Sequence, residues 1–358
     1  MLLSVGAIAV TSSASDWPTV DCGALLDDAS SPRGAALTDI KAAVESRGFF
    51  YCGNVDTILD AEYIESIYEY SRKAHSLSEA TKRQHARPHG GYVGPDVGVS
   101  ANVHEPGKLP SVRSWDYSRT PNHFVAAEAE SSSRGKYPPV DVLAPQFEAV
   151  LSELFDRQQW LGVALLEAFA EVLGLDRDAF SRHIGDEVGT IRLLHYPQVA
   201  ESPSFSVGIG AHTDFEVFTL MHQSAPGLQL RSASISLHSV NASSAVVTAT
   251  AAGTAAGTAQ VAMEWEDAPV RPGQFVVILG DVLERMTNGA WKATPHRVPL
   301  RPGAPERYAI IRFQALSGSA SVAPLPDFVT QTRPKAYSAV SMGEHLKVTI
   351  DNLLRSGD

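Results

Sequence analysis

The sequence predicts a mainly β chain with helical additions, and two observations lead there. Upstream of residue 174 the apolar residues recur at helical spacing, whereas downstream they alternate along short runs. Turn signals separate those runs: "PG" at 226–227 and 272–273, and "NG" at 288–289. Short alternating strands punctuated in this way describe a sandwich or a barrel.

Taken in order, "WPTVDCGALL" (17–26) reads as a short strand and turn. In "LTDIKAAVESRG", Leu37, Ile40 and Val44 share a helix face and Gly48 is the stop. "FFYCGNV" follows as a strand, then a helix over 59–83 with Tyr63, Ile64, Ile67 and Tyr68 on one face. Residues 87–139 are rich in Gly, Pro and Ser and hold no period, the signature of a long covering loop. A helix over 145–173 keeps Leu151, Leu154, Phe155, Leu161, Leu165 and Phe169 on its apolar stripe and is closed by Gly174. The strands expected next are 188–196, 217–222, 228–231, 274–280, 296–300 and 307–313, with a last helix near 339–354. Residues 231–260 are an Ala/Ser/Thr-rich insertion between two strands.

Composition narrows the function. With 358 residues and 44% apolar content the chain can bury a sizeable core. A net charge of −11 without any long basic tract argues against nucleic acid and anionic membrane as partners. No segment has the roughly 20 apolar residues that span a bilayer. The N-terminal stretch "MLLSVGAIAVTSSAS" lacks basic residues before its apolar run and reads as a loose tail or first strand. Cys22 and Cys52 read as buried free thiols of a reducing cytosol. These features describe a soluble, intracellular protein, expected to be cytoplasmic; that it is a monomer acting on a small molecule is a separate expectation.

The chemistry is expected around "GAHTDFEVFT" (210–219). In extended backbone His212 and Asp214 point to the same side, so both can grip one object. His296, opening the strand candidate "HRVPL", supplies a third donor. Two histidines and one carboxylate suit non-haem Fe(II) with three positions open, and the same set suits catalytic zinc. Arg307 on "ERYAIIRF", if buried, needs an anion, and its fork matches a carboxylate.

The segments "HTDFEVFTLMHQSAPGLQL", "VRPGQFVVILGDVLERMTNGAWKATPHRV" and "ERYAIIRF" resemble the Fe(II)/2-oxoglutarate dioxygenases of the isopenicillin N synthase-like type. "WPTVDCGALL", "AVESRGFFYCGNV", "RLLHYP", "APLPDFV" and "SMGEHL" extend the resemblance to nearly the whole chain outside 231–260. It implies a double-stranded β-helix, or jelly roll, over 187–320 with the insertion at 231–262. An α-rich region over 1–186 and a helical extension over 321–358 would pack against it. It also implies His212, Asp214 and His296 as iron ligands, with 2-oxoglutarate and O2 as co-substrates. Arg307 would anchor the distal carboxylate of 2-oxoglutarate, with the Tyr196 hydroxyl beside it. Ala309 stands where the family usually has serine, and Leu194 where many members have asparagine. Relatives that oxidise without 2-oxoglutarate exist, so an oxidase of the same fold and a non-catalytic jelly-roll binder are the alternatives.

The resemblance implies oxidation of an unactivated C–H bond, ending in hydroxylation, desaturation or ring closure. Arg192, Arg113, Trp115, Phe215 and Phe313 are the expected substrate contacts. Two arginines among them suit a carboxylate-bearing substrate such as an amino-acid derivative.

Overall fold

The computed structural model describes residues 17–26, 32–87, 90–95, 111–119, 147–184, 188–198, 207–231 and 265–356. The N-terminal stretch read as tail or strand and the low-complexity insertion beyond Arg231 lie outside them.

The first part of the chain forms β1 (Thr19–Asp21), α1 (Gly23–Leu26), α2 (Arg33–Ser46) and β2 (Phe49–Gly53). Strands β1 and β2 pair in parallel, setting Val20 beside Cys52. One residue past β1, Cys22 lies 5.4 Å from Cys52 between Cα atoms, and the two are joined as a disulfide. That span is one a disulfide bridges readily. The reading of two free thiols is therefore corrected, and with it goes the inference of a reducing compartment. Sequence spacing could not reveal the pairing, because it arises from strand register.

The helix expected over 59–83 is two helices, α3 (Ala61–Ser76) and α4 (Glu79–Gln84). Asp60 caps the first by accepting from the Tyr63 amide at 2.9 Å, and Ser78 caps the second by accepting from the Thr81 amide at 3.1 Å. An N-cap residue takes a non-helical backbone, so Ser78 breaks the continuous run. Strands β3 (Ala86–Arg87), β4 (Gly90–Val93) and β5 (Arg113–Tyr117) follow. The stretch 87–139 thus contains strands among its described residues. Its Gly and Pro content hid them by interrupting the alternation.

Helix α5 (Phe147–Val172) matches the predicted apolar stripe. After it come β6 (Thr190–Tyr196), β7 (Ile209–His212), β8 (Phe218–Gln223), β9 (Gln229–Leu230), β10 (Glu266–Asp267) and β11 (Phe275–Leu279). The chain continues with α6 (Asp281–Met286), β12 (His296–Val298), β13 (Arg307–Gln314), β14 (Ser321–Val322), β15 (Val340–Ser341) and α7 (Met342–Ser356). Among the described residues no helix is long and apolar enough to cross a membrane.

Nine strands form the major sheet, in the order β1-β2-β11-β8-β13-β6-β5-β4-β3. Strands from upstream of residue 187 therefore lie at both of its edges. The minor sheet runs β10-β9-β12-β7. Alternation divides the major sheet into two apolar faces. One presents Ile191, Leu193, Leu220, Val277 and Ile310 to the helices, where α5 contributes Phe155, Leu165 and Phe169. Phe169 stacks edge-on against Phe50, Phe218 and Trp291, with centroids 6.4, 5.5 and 6.1 Å away. Each such buried ring contributes about 1.5–3 kcal/mol. The other face presents Leu194, Tyr196, Met221, Ile278, Ala309 and Ile311, which pack with Leu228, Leu230 and Val298 of the minor-sheet side. The space between the sheets is the lumen of a jelly roll.

On the helix face, His222 is buried and its Nδ1 lies 2.7 Å from the Tyr68 hydroxyl. Burial pushes its pKa down to about 4. An unfolded histidine titrates near 6.5. The neutral ring thus contributes stability that is fully present above that value and is lost as pH falls towards 4. Wild type should lose up to roughly 3 kcal/mol more than His222→Phe between pH 7 and pH 4. Urea unfolding of both at the two pH values measures this, and parallel losses would contradict it.

Candidate active site

Three side chains meet at the rim of the lumen. β7 ends on His212, Asp214 follows two residues later, and His296 opens β12. β7 and β12 are antiparallel neighbours with His212 directly opposite His296, and the two rings lie 4.2 Å apart between centroids. Asp214 Oδ1 is 3.7 Å from His212 Nε2, and its Oδ2 is 3.7 Å from His296 Nε2. One donor atom from each residue falls within 4.8 Å of the others, a spacing that could hold one metal ion.

The surroundings fit both rings for ligation. His212 Nδ1–H donates to the Gly210 carbonyl at 2.8 Å, and His296 Nδ1–H donates to the Thr294 carbonyl at 3.1 Å. A carbonyl can only accept, so each Nε2 keeps its lone pair. Burial, reinforced by His296, holds the His212 pKa down at about 4, so the ring is neutral at pH 7. Thr219 on β8 donates its hydroxyl to Asp214 Oδ2. Behind the loop, Gly280 leaves no room for a side chain. A Cβ there would lie 2.2 Å from the Glu216 carbonyl oxygen and 3.1 Å from that of Asp214. The Gly280 and Asp281 amides also donate to the Val217 and Asp214 carbonyls, at 3.0 and 2.8 Å. Backbone contact thus fixes the position of the carboxylate. Glu216, buried beside Asp214, has its pKa pushed up to about 8, first by burial and then by that neighbouring charge.

Deeper in the lumen, Arg307 on β13 is only 3% exposed. Its Nε donates to the Ala225 carbonyl at 3.2 Å and its Nη2 to Gln223 Oε1 at 3.1 Å. Its Nη1 is buried and, among the described residues, has no hydrogen-bond partner. A buried charged donor left unpaired costs about 1–3 kcal/mol or more. A carboxylate would repay that cost with two parallel bonds. The Tyr196 ring lies 4.8 Å beneath the guanidinium, and the strand pairing sets Tyr196 opposite Arg307. Ala309 and Leu194 are cross-strand neighbours on the same face and bring only carbon. Gln223, across from Ala309 on β8, supplies the polar contact instead: its Nε2 donates to the Ala268 carbonyl at 3.2 Å while its oxygen holds Arg307.

The expected substrate contacts divide. Arg192 and Phe313 do face the lumen, with the guanidinium 5.1 Å over the ring. Arg192, however, is held by Asp116 of β5 through two hydrogen bonds, Nε to Oδ1 at 2.9 Å and Nη2 to Oδ2 at 2.7 Å. Trp115 is corrected: it packs in the helix-side core, 5.4 Å from Tyr92. Arg113, two residues earlier on β5, shares that face, and its Nη1 donates to the Ser111 carbonyl at 3.2 Å. Alternation sends Ser114 and Asp116 inward instead. Phe215 is also corrected, since it packs against the helix-side core and its carbonyl accepts from His345 Nε2 of α7 at 3.0 Å. Two unpaired arginines therefore do not meet a substrate together. Thr219, Gln223 and Asp116 are the lumen residues that sequence reading missed. For the first two, the two-residue steps Thr219, Met221, Gln223 along one strand carried the signal.

Thr219→Val preserves shape and deletes the hydroxyl that orients Asp214. Affinity for Fe(II), measured by anaerobic calorimetry, should fall about tenfold or more, as losing a ligand's supporting bond typically does. Unchanged affinity would show that Asp214 needs no such support.

Known proteins resemble this chain in sequence and fold. The model of the 2OG-Fe(II) oxygenase superfamily matches residues 238–315, which include His296 and Arg307. Clavatol oxidase claD of Penicillium crustosum is 26% identical over 357 aligned residues, covering 92% of this chain and 94% of its own. Flavanone 3-dioxygenase 2 of Oryza sativa subsp. japonica is 23% identical, covering 90% and 82%. Among solved structures, a full-length Neurospora crassa protein in complex with alpha-KG and thymine superposes with a TM-score of 0.73 at 21% identity, covering 95% of this chain and 97% of that one. The rice dioxygenase for auxin oxidation gives 0.65 at 18% identity, covering 94% and 96%. The family match over residues 238–315, the relatives aligned along most of their length and the shared jelly roll all liken this chain to the 2OG-Fe(II) oxygenases, enzymes that use Fe(II), 2-oxoglutarate and O2.

Proposed function

We propose that His212, Asp214 and His296 hold one Fe(II) ion, that Arg307 holds the far carboxylate of 2-oxoglutarate, and that the enzyme oxidises a C–H bond of a small organic molecule lodged near Arg192 and Phe313. One observation carries this reading: the three converging donors share a lumen with a buried guanidinium nitrogen that has no hydrogen-bond partner among the described residues. When bound, iron with 2-oxoglutarate and O2 supplies the oxidant, and 2-oxoglutarate leaves as succinate and CO2.

The protein's own part is positioning and exclusion. The Gly210 and Thr294 carbonyls fix both imidazole tautomers, and Thr219 fixes the carboxylate. Gln223 and the Ala225 carbonyl aim the fork of Arg307. Leu194, Met221, Ala309 and Ile311 make an apolar wall that keeps water from the space between metal and arginine. The names of the relatives, an oxidase of clavatol and a dioxygenase of flavanones, support a small molecule of specialised metabolism as the substrate. The reading takes the enzyme as a monomer.

Anaerobic addition of Fe(II) and 2-oxoglutarate should produce the weak visible absorption of the iron chelate, and neither component alone should do so. Arg307→Gln should raise the 2-oxoglutarate concentration needed for half-maximal absorption by about 10–100-fold while leaving Fe(II) affinity unchanged. A band that forms equally well in the variant would reject Arg307 as the anchor. Metal binding without any band would favour an oxidase that dispenses with 2-oxoglutarate.

A further inference from the structure

The pair formed by Arg192 and Asp116 has no place in holding iron or 2-oxoglutarate, yet it stands in the lumen beside the metal site. Arg192 is close enough to Asp214 and Glu216 for their charges to act on it. The Asp116 side chain is only 5% exposed, and both its oxygens are engaged, Oδ1 by Arg192 Nε and the Ser114 hydroxyl and Oδ2 by Arg192 Nη2. The Arg192 side chain keeps 31% exposure while deep among protein atoms, so the surface it shows is that of the lumen. Phe313 covers one face of the guanidinium. Among the described residues its Nη1 has no hydrogen-bond partner. What reaches the lumen is therefore one donor edge of a charge-neutral pair, bordered by an aromatic ring.

From this arrangement we infer that Asp116 is a specificity-determining residue, and that the substrate end meeting Arg192 is a neutral carbonyl group on a planar ring system rather than a carboxylate. The inference rests on the proposed function, whose lumen it subdivides. A free guanidinium selects carboxylates by a two-bond fork. Here Asp116 already occupies that fork. An incoming carboxylate would find only the remaining edge and would sit near the like charge of Asp116, which disfavours it. A neutral carbonyl oxygen can accept from Nη1 without that repulsion, and a flat ring can pack beside Phe313. Arg192 itself is a binding residue, while Asp116 acts through it as a positioning residue.

The test uses full-length enzyme loaded with Mn(II) and 2-oxoglutarate, probed by calorimetry with matched pairs of arenecarboxamides and arenecarboxylates, starting with benzamide and benzoate. Wild type should bind the amide of each pair more tightly. Asp116→Asn, which frees the fork, should raise the acid-to-amide affinity ratio at least tenfold. Arg192→Gln should lose amide binding and gain no preference for acids, a control that leaves no unpaired buried cation. A wild-type preference for acids, a ratio unmoved in Asp116→Asn, or no binding of any amide in the panel overturns the inference. The heat of 2-oxoglutarate binding is recorded first, so a failure of the proposed function shows there and is separate from a failure of ligand selectivity.

Discussion

The register between β7 and β12 is the constraint on which the site depends. Because His212 stands directly across from His296, the two imidazoles share one face and one height. Side chains alternate along a strand, so a slip of one residue would turn one histidine away from the other. Asp214 lies beyond the end of β7 and has no ladder to hold it. Its place comes from the backbone packed against Gly280 and from the Thr219 hydroxyl. Two different devices, a strand pair and a glycine contact, therefore bring three donors to one point.

The same register logic organises the lumen. β13 and β6 pair from Arg307 with Tyr196 to Phe313 with Thr190, so Arg307 and Phe313 lie on one face at opposite ends of the strand pair. The middle of that face is carbon: Ala309, Leu194 and Ile311. One end thus offers an arginine with an unpaired donor, and the other an arginine paired with Asp116. An anion with no other partner is drawn to the first and gains little at the second. The burial that makes the unpaired donor costly also makes its bond with a carboxylate strong. The lumen is asymmetric in charge, and in the proposed reading that asymmetry separates co-substrate from substrate.

Much of this could be read from the residues. The helical stripe of α5 and the alternating runs of β6, β8, β11 and β13 were legible because each has a long, clean period. His212, Asp214, His296 and Arg307 were legible as residue types at telling positions. What escaped depended on contacts between distant segments. "RSWDY" advertises its tryptophan, but pairing with β6 turns Trp115 to the helices and Asp116 to the lumen. β7 is short, and glycines at 208 and 210 blur its alternation. The disulfide of Cys22 and Cys52 follows from a parallel pairing that no local pattern announces. Gln223 becomes meaningful only once Ala309 is seen to lie beside it.

The most direct test is an anaerobic crystal structure of the enzyme soaked with Fe(II) and 2-oxoglutarate. One metal should appear bonded to His212 Nε2, a carboxylate oxygen of Asp214 and His296 Nε2, with the far carboxylate of 2-oxoglutarate on Arg307. Metal found elsewhere, or these three residues left without it, would contradict the account.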